Sequence, residues 1–125
     1  MNARLSWVIV DCDDPERLAT FWGQLLERTV TWRRGPYVFL DGEGAGLGFQ
    51  RVAEPRQGKN RVHVDLNADD PHAVAARVVE LGGSRAPGYE AGGFLVMADP
   101  EGNEFCVLPE QGIELDEDGV ATYPT

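Results

Sequence analysis

Five residues with chemically useful side chains occur in strand-like segments of the sequence: Gln50, His63, Asp65, Glu104 and Cys106. Imidazole, thiolate and carboxylate groups bind metal ions or move protons, and a thiol beside an imidazole can act as a nucleophile. Polar and apolar residues alternate in these segments, and alternating side chains point to opposite faces of a sheet. Polar groups gathered on one face need water, a ligand or one another. The pattern therefore predicts one face that lines a cavity and one apolar face that packs beneath helices.

Three of these residues are candidates for catalysis, although the sequence alone assigns no catalytic residue. His63 is either a metal ligand or base, or a cavity histidine that hydrogen-bonds a neighbour or a ligand. Cys106 is either a metal ligand or a nucleophile beside His63, or a buried and inert small hydrophobe. Glu104 is the third candidate, as a carboxylate on the same face.

The residues predicted to contact a ligand are Trp7, Gln50, His63, Asp65 and Cys106. Gln50 is expected to hydrogen-bond the ligand, with metal ligation as the alternative. Trp7 is either part of the core or a stacking wall for an apolar ligand. Asp65 and Glu104 are either cavity carboxylates or exposed groups at a strand edge.

Other features of the strands suggest where a cleft has its walls. Trp32, Tyr37, Phe94 and Met97 could line the cleft, although such residues in strands more often serve packing. His72 falls in the first turn of a helix and is expected to face solvent. The alternating glycines from 42 to 48 predict a hairpin turn and a thin strand, not a phosphate loop, because no helix follows them.

The elements that must position these residues are repeated along the chain. A shift of 56 residues aligns Asp13-Asp14-Pro15 with Asp69-Asp70-Pro71, and farther on it aligns Phe49 with Phe105. Asp14 and Asp70 are predicted helix N-caps, each followed by proline at the first helical position. The same shift pairs position 7 with 63 and position 50 with 106. We therefore expect Trp7, Gln50, His63 and Cys106 to converge around a pseudo-twofold axis.

Each repeat is predicted to contain one strand, one helix and three more strands, which gives an α+β fold of two tandem βαβββ modules around a cleft. The single domain, residues 1–125, divides into module 1 (about 4–52), a linker (53–60), module 2 (about 61–109) and an acidic tail (110–125). The predicted strands are 5–11, 29–34, 36–41, 45–52, 61–67, 84–87, 92–98 and 104–109, and the predicted helices are 16–27 and 72–81.

Composition excludes several classes of protein. The net charge of −10, with 11 basic and 21 acidic residues, argues against binding of nucleic acid, which normally requires a basic face. The acidic tail is interpreted as a solvated segment that favours solubility. No apolar run approaches the length of about 20 residues that a membrane helix needs. The N-terminal residues show no signal-peptide pattern, so we expect a cytoplasmic protein whose two cysteines are reduced thiols.

Three stretches of the sequence carry a resemblance to a known superfamily. VIVDCDDPERLATFW, NRVHVDLNADDPHAVAARVVELGG and DPEGNEFCVL are similar to the vicinal oxygen chelate superfamily of glyoxalase I, bleomycin resistance proteins and extradiol dioxygenases. The first half most resembles its glyoxalase-like subgroup. The resemblance reaches from the N-terminal strand to about Pro109 and implies the same two-module fold. One fold hosts many activities, so the chemistry has to be argued from the site.

The resemblance implies four metal-ligand positions, one on the first and one on the last strand of each module: Trp7, Gln50, His63 and Cys106. An indole cannot ligate a metal, and Cys106 stands where the superfamily usually has glutamate, with Glu104 two residues earlier. The ligands expected from this carry-over are His63, Gln50 and Glu104. A set that mixes imidazole, amide and thiol suits zinc better than hard cations. We expect no cofactor, and the alternative is a divalent ion of Zn, Ni, Mn or Fe.

The functional expectation is a protein that binds a small organic molecule in its cleft, as bleomycin resistance proteins do, with a degenerate metal site. The alternative is a metal-dependent lyase, isomerase or dioxygenase that acts on vicinal oxygens through a non-standard site. True glyoxalase I activity is not expected, because that mechanism needs a carboxylate ligand as base. The resemblance also implies a homodimer and gives no reason to expect nucleic acid or membrane as a partner.

Overall fold

The computed structural model describes residues 2–87, 95–110 and 114–122. The chain divides into two compact units, Met1–Gln57 (unit 1) and Gly58–Thr125 (unit 2). Each unit contains one helix and one four-stranded mixed sheet, so the predicted α+β fold with two βαβββ repeats is confirmed. Whether the two sheets enclose a cleft stays a prediction.

Unit 1 has the strand order β1-β4-β3-β2. Its elements are β1 (Trp7–Cys12), α1 (Pro15–Leu26), β2 (Val30–Arg34), β3 (Tyr37–Leu40) and β4 (Gly46–Arg51). The first strand pairs with the last in parallel, and the two hairpin pairings are antiparallel. A parallel pair needs a crossover connection, which here contains the helix.

Unit 2 repeats this topology with the order β5-β8-β7-β6. Its elements are β5 (Asp65–Ala68), α2 (Pro71–Glu80), β6 (Ser84–Arg85), β7 (Leu95–Ala98) and β8 (Glu104–Pro109). The predicted strand 61–67 is therefore shorter at its start, and the part of the predicted strand 92–98 before Leu95 lies outside the described residues. The predicted solvated tail also contains a short antiparallel hairpin, formed by β9 (Glu114–Leu115) and β10 (Ala121–Thr122).

Local chemistry explains where both helices begin. The side chain of Asp14 accepts a hydrogen bond from the backbone N–H of Arg17 at 3.1 Å, and Asp70 accepts one from Ala73 at 3.2 Å. Each satisfies an N–H that has no partner within the helix, and the following proline has no N–H to satisfy. Both predicted N-caps are confirmed.

The two units differ in the register of their parallel strand pair. Ile9 pairs with Gly48 in unit 1, whereas Asp65, which lies 56 residues after Ile9, pairs with Cys106 in unit 2. Cys106 lies 58 residues after Gly48, so the shift of 56 that aligns the helix caps is wrong for the last strand. The reason is that the segment from the start of the helix to the start of the last strand is two residues longer in unit 2. The structural counterpart of Cys106 is therefore Gly48, not Gln50.

The apolar sheet faces pack beneath the helices as the alternation predicts. In unit 1, α1 packs against β3 and β4, and both Leu18 and Phe49 are fully buried. In unit 2, α2 packs against the sheet, and Val78 and Val107 are fully buried. Val62 would fall on this face if the alternation of the predicted strand 61–67 held throughout, but it is 76% exposed because it precedes β5.

A buried carboxylate fixes the turn between β7 and β8. Asp99 is only 3% exposed. Its Oδ1 accepts hydrogen bonds from the backbone N–H of Glu101 at 2.9 Å and of Asn103 at 3.0 Å, and its Oδ2 accepts one from Asn103 Nδ2 at 3.0 Å. Gly102 adopts a φ of 86°, which glycine adopts without strain. This turn sets where β8, and with it Cys106, begins.

Replacement of Asp99 by alanine is expected to lower the free energy of unfolding by about 2–4 kcal/mol, because the half-buried N–H groups of Glu101 and Asn103 lose the carboxylate oxygen that accepts their hydrogen bonds. Asp116 is a matched control, since its Oδ1 also accepts two backbone N–H groups, at 2.9 Å, but on an exposed hairpin. Asp116→Ala should cost less than about 1 kcal/mol. Urea denaturation of both variants measures the difference, and equal losses would contradict this account of the turn.

Candidate functional site

His63, Asp65 and Cys106 come together on the sheet of unit 2. His63 Nε2 lies 3.3 Å from Asp65 Oδ1, and the ligand atoms of all three residues lie within 4.8 Å of one another. His63 and Asp65 are two residues apart and so share a face. Cys106 lies beside Asp65 because β5 and β8 pair in parallel with these residues in register.

The cluster has a buried apolar side and a solvent-facing polar side. Cys106 is buried and packs with Ala86, Val96 and the partly buried Leu108. The side chains of His63 and Asp65 are 48% and 49% exposed. The thiol of Cys106 therefore lies on the buried side of the cluster, and the imidazole of His63 and the carboxylate of Asp65 lie on its solvent-facing side.

The environment of Cys106 keeps its sulfur protonated. Burial, the charge of Asp65 and a hydrogen bond to Asp65 together raise the pKa of the Cys106 thiol to about 11, against a smaller opposing effect of Lys59. The thiolate is the nucleophilic form, and a thiol with this pKa is almost entirely protonated at neutral pH. A nucleophilic Cys106 beside His63 would have to act through this minor thiolate form, and this role stays a prediction.

Asn60 connects the segment before β5 to the start of β8. Its Nδ2 donates to the carbonyl oxygen of Val62 at 2.7 Å, and its Oδ1 accepts from the backbone N–H of Glu104 at 3.1 Å. His63 follows Val62 directly, so Asn60 positions the histidine against β8. The sequence pattern did not single out Asn60, because this residue falls at the end of a polar linker. The feature of the sequence that could have pointed to Asn60 is its position just before a segment in which polar and apolar residues alternate.

Glu104 does not belong to the cluster. It is half-buried at the start of β8, two residues before Cys106. Among the described residues, the group whose ligand atoms converge consists of His63, Asp65 and Cys106. The structure thus brings together three of the residues predicted to contact a ligand, His63, Asp65 and Cys106, of which His63 was also predicted to bind a metal.

The corresponding face of unit 1 carries a group of aromatic rings. The ring of Trp7 contacts Phe39 edge-on with centroids 4.8 Å apart. Trp32 stacks on the other flank of Phe39 at 4.8 Å, and Tyr37 stacks at 5.6 Å. Trp32 is 51% exposed and lies on the edge strand β2, so the aromatic row reaches solvent.

Two glycines make this aromatic row possible. A Cβ atom at Gly46 would collide with the ring of Trp7, and one at Gly48 would lie 2.9 Å from a ring atom of Phe39. The thin strand predicted from the sequence therefore does leave space, but side chains of unit 1 itself occupy it. Trp7 and Phe39 are the members of the row that lie against the glycines of β4.

Gln50 lies away from Trp7 in unit 1. Trp7 pairs with Gly46 whereas Gln50 pairs with Asp11, four residues farther along β1. Four residues of strand span about 13 Å. Trp7 and Gln50 therefore do not share a site, and convergence of either with His63 and Cys106 stays a prediction.

The remaining sequence-based candidates fall on different surfaces. Trp32 and Tyr37 lie on the aromatic face, and His72 is exposed as expected. Met97 pairs with Phe105 and both are fully buried, so Met97 belongs to the core and not to a cleft wall. Phe94 lies outside the described residues.

Several solved structures share this fold. A glyoxalase-related enzyme from Fulvimarina pelagi matches with a TM-score of 0.66 and 18% identity, over 98% of this chain and 99% of that one. A glyoxalase/bleomycin resistance protein/dioxygenase family enzyme from Burkholderia phytofirmans matches with a TM-score of 0.64 and 20% identity, over 84% and 97% of the chains. The fosfomycin resistance protein FosX from Mesorhizobium loti matches with a TM-score of 0.66 and 17% identity, over 86% and 91%.

The model of the glyoxalase-like domain family matches residues 7–108, and the chain belongs to this family. No match was found among curated proteins. None of the helices in the described parts of the chain is long and apolar enough to cross a membrane.

The metal-ligand set that the superfamily resemblance implies does not fit these residues. The position on β1 holds Trp7, and the structural counterpart of Cys106 on β4 is Gly48, which has no side chain. Unit 1 therefore supplies an indole and a glycine where two ligands are needed. Among the residues that the structure describes, the donor atoms that converge lie on unit 2.

Alkylation of Cys106 tests the electrostatic account. In metal-free Cys12→Ser protein, iodoacetamide should modify Cys106 slowly at about pH 8, and the rate should rise as pH approaches the thiol pKa. Asp65→Asn removes the nearby negative charge and should increase the rate severalfold at the same pH. Unfolded protein gives the reference rate. No acceleration in the Asp65→Asn variant would contradict the role given to this carboxylate.

Proposed function

We propose that this protein binds a planar small organic molecule on the aromatic face of unit 1 and that the metal site of its superfamily is degenerate. The exposed ring of Trp32, stacked on Phe39, is the observation that carries the proposal. An indole held flat at the end of an ordered aromatic row is ready to stack on a further ring with little loss of side-chain entropy.

The face has an apolar row next to a polar one. The apolar row runs across the paired strands through Ile9, Gly48, Phe39 and Trp32. The neighbouring row, two residues away on the same face, runs through Asp11, Gln50, Tyr37 and Arg34. Binding sites for small molecules typically combine a mostly apolar wall with a few polar groups that orient the ligand. The arrangement favours a planar molecule with one polar end.

The net charge of the chain favours some ligands over others. The chain carries a net charge of −10, and a field of that sign attracts cations and repels anions. Bleomycin resistance proteins are among the structural neighbours. We therefore propose sequestration of a neutral or cationic aromatic compound, without chemical conversion, as the activity.

Removal of Trp32 should weaken binding strongly. About 100 Å² of its ring is available for contact, which at about 25 cal/mol per Å² corresponds to about 2.5 kcal/mol. Trp32→Ala should therefore lower the affinity for the planar cation 1-methylquinolinium by about 30-fold or more. Isothermal titration calorimetry in EDTA measures this loss.

Val79→Ala provides the control, because Val79 is also an exposed apolar residue but lies on the helix of unit 2. This variant should bind the probe with unchanged affinity. The proposal fails if Trp32→Ala binds as well as the wild type, or if EDTA alone abolishes binding.

A second candidate function is a metal-dependent lyase, isomerase or dioxygenase. The convergence of His63, Asp65 and Cys106 favours it. A metal held by these residues would supply Lewis acidity to vicinal oxygens of a substrate. Turnover that is lost in His63→Ala but kept in Trp32→Ala would favour this candidate over sequestration.

We also propose a cytoplasmic homodimer. The cytoplasmic location is supported by two cysteines that are free thiols. The dimer is supported by the superfamily resemblance and by exposed apolar side chains, of which Leu5 and Val62 are examples.

A further inference from the structure

We propose that unit 2 binds one zinc ion through the imidazole of His63, the carboxylate of Asp65 and the thiolate of Cys106. The proposal goes beyond the ligand-binding function, because all three donors lie on unit 2 and the aromatic face lies on unit 1. It also departs from the ligand set that the superfamily resemblance implies, in which both modules contribute.

The separation of the two exposed donors suits a tetrahedral ion. Nitrogen and oxygen ligands lie about 2.0–2.1 Å from zinc, so two of them at a tetrahedral angle stand about 3.3 Å apart. His63 Nε2 and Asp65 Oδ1 are 3.3 Å apart. This distance is long for a hydrogen bond, which is strongest when the heavy atoms are closer than about 3.2 Å.

The sulfur needs only a small adjustment to complete the set. A zinc–sulfur bond of about 2.3 Å places the sulfur about 3.5 Å from the other ligand atoms. The three ligand atoms already lie within 4.8 Å of one another. Because His63 and Asp65 are half-exposed, their side chains can close this gap by rotation while Cys106 stays in place.

The backbone around the cluster is held in position before any ion binds. The N–H of Cys106 donates to the carbonyl oxygen of Val64 at 3.0 Å, which locks β8 against the segment that carries His63 and Asp65. Asn60 ties that segment to β8 a second time, through Val62 and Glu104. Ligands on paired strands lose little freedom on binding, which favours affinity.

The donor types select the ion. Thiolate and imidazole favour zinc over magnesium, calcium or manganese, which prefer oxygen ligands. Binding replaces the thiol proton of Cys106 by the metal and releases that proton to solvent. Three protein ligands leave a fourth position for water, as in zinc sites that act on substrates and unlike closed structural sites.

Cobalt titration of the metal-free protein tests the proposal. Co²⁺ should bind with one equivalent per chain, give a thiolate-to-cobalt charge-transfer band in the near ultraviolet and the intense visible bands of a tetrahedral ion, and be displaced by Zn²⁺. Cys106→Ser should lose the charge-transfer band. His63→Gln and Asp65→Asn should each weaken Co²⁺ binding by at least about tenfold.

Cys12→Ser is the matched control. Cys12 is the other buried cysteine, it lies in unit 1, and its sulfur donates to the carbonyl oxygen of Gln50 at 3.5 Å. This variant should keep the full cobalt spectrum. His63 and Asp65 are half-exposed, so their variants report on binding even if Cys106→Ser folds poorly, which circular dichroism will show.

Three results would overturn the proposal. They are the weak spectrum of an octahedral ion without a thiolate band, a thiolate band that survives in folded Cys106→Ser, and unchanged affinity in both His63→Gln and Asp65→Asn. The titration with 1-methylquinolinium is made in EDTA, so its outcome does not depend on this one.

Discussion

The parallel pairing of the first and last strand decides which side chains can act together in each unit. In unit 2 this pairing sets Asp65 beside Cys106, and it leaves His63 two residues earlier on the same face. In unit 1 the equivalent pairing sets Trp7 beside Gly46 and Ile9 beside Gly48. A shift of β5 by one residue would turn Asp65 and His63 to the face opposite Cys106, so the register is the constraint on which both surfaces depend.

The two units therefore share one backbone topology but carry different kinds of side chain on the corresponding sheet face. Glycines in β4 let Trp7 and Phe39 lie close to the backbone of unit 1, and Trp32 extends this row into solvent. In β8 a cysteine takes the place of such a glycine, and its sulfur lies between an apolar cluster and an exposed imidazole–carboxylate pair. On this account unit 1 is suited to stacking on an aromatic ligand and unit 2 to coordination of a metal ion. The superfamily resemblance implies instead that both modules supply metal ligands.

Features that depend on neighbouring residues were predictable from the sequence, and features that depend on distant pairing were not. Asp14 and Asp70 identified both helix starts because an N-cap needs only an acceptor and the next three residues. Alternation placed Asp65 and Cys106 on the polar face. The strand register was mispredicted because two extra residues before β8 break the repeat, and a gapless alignment conceals them. The role of Asn60 depends on contact with Glu104, which is 44 residues away.

X-ray absorption at the zinc edge, on protein loaded with one equivalent of zinc, tests most directly whether unit 2 holds the metal by itself. The account predicts one sulfur at about 2.3 Å and three nitrogen or oxygen atoms at about 2.0–2.1 Å, with the sulfur contribution absent in Cys106→Ser. Six nitrogen or oxygen neighbours and no sulfur in the wild type would contradict it, and so would a sulfur contribution that persists in the variant.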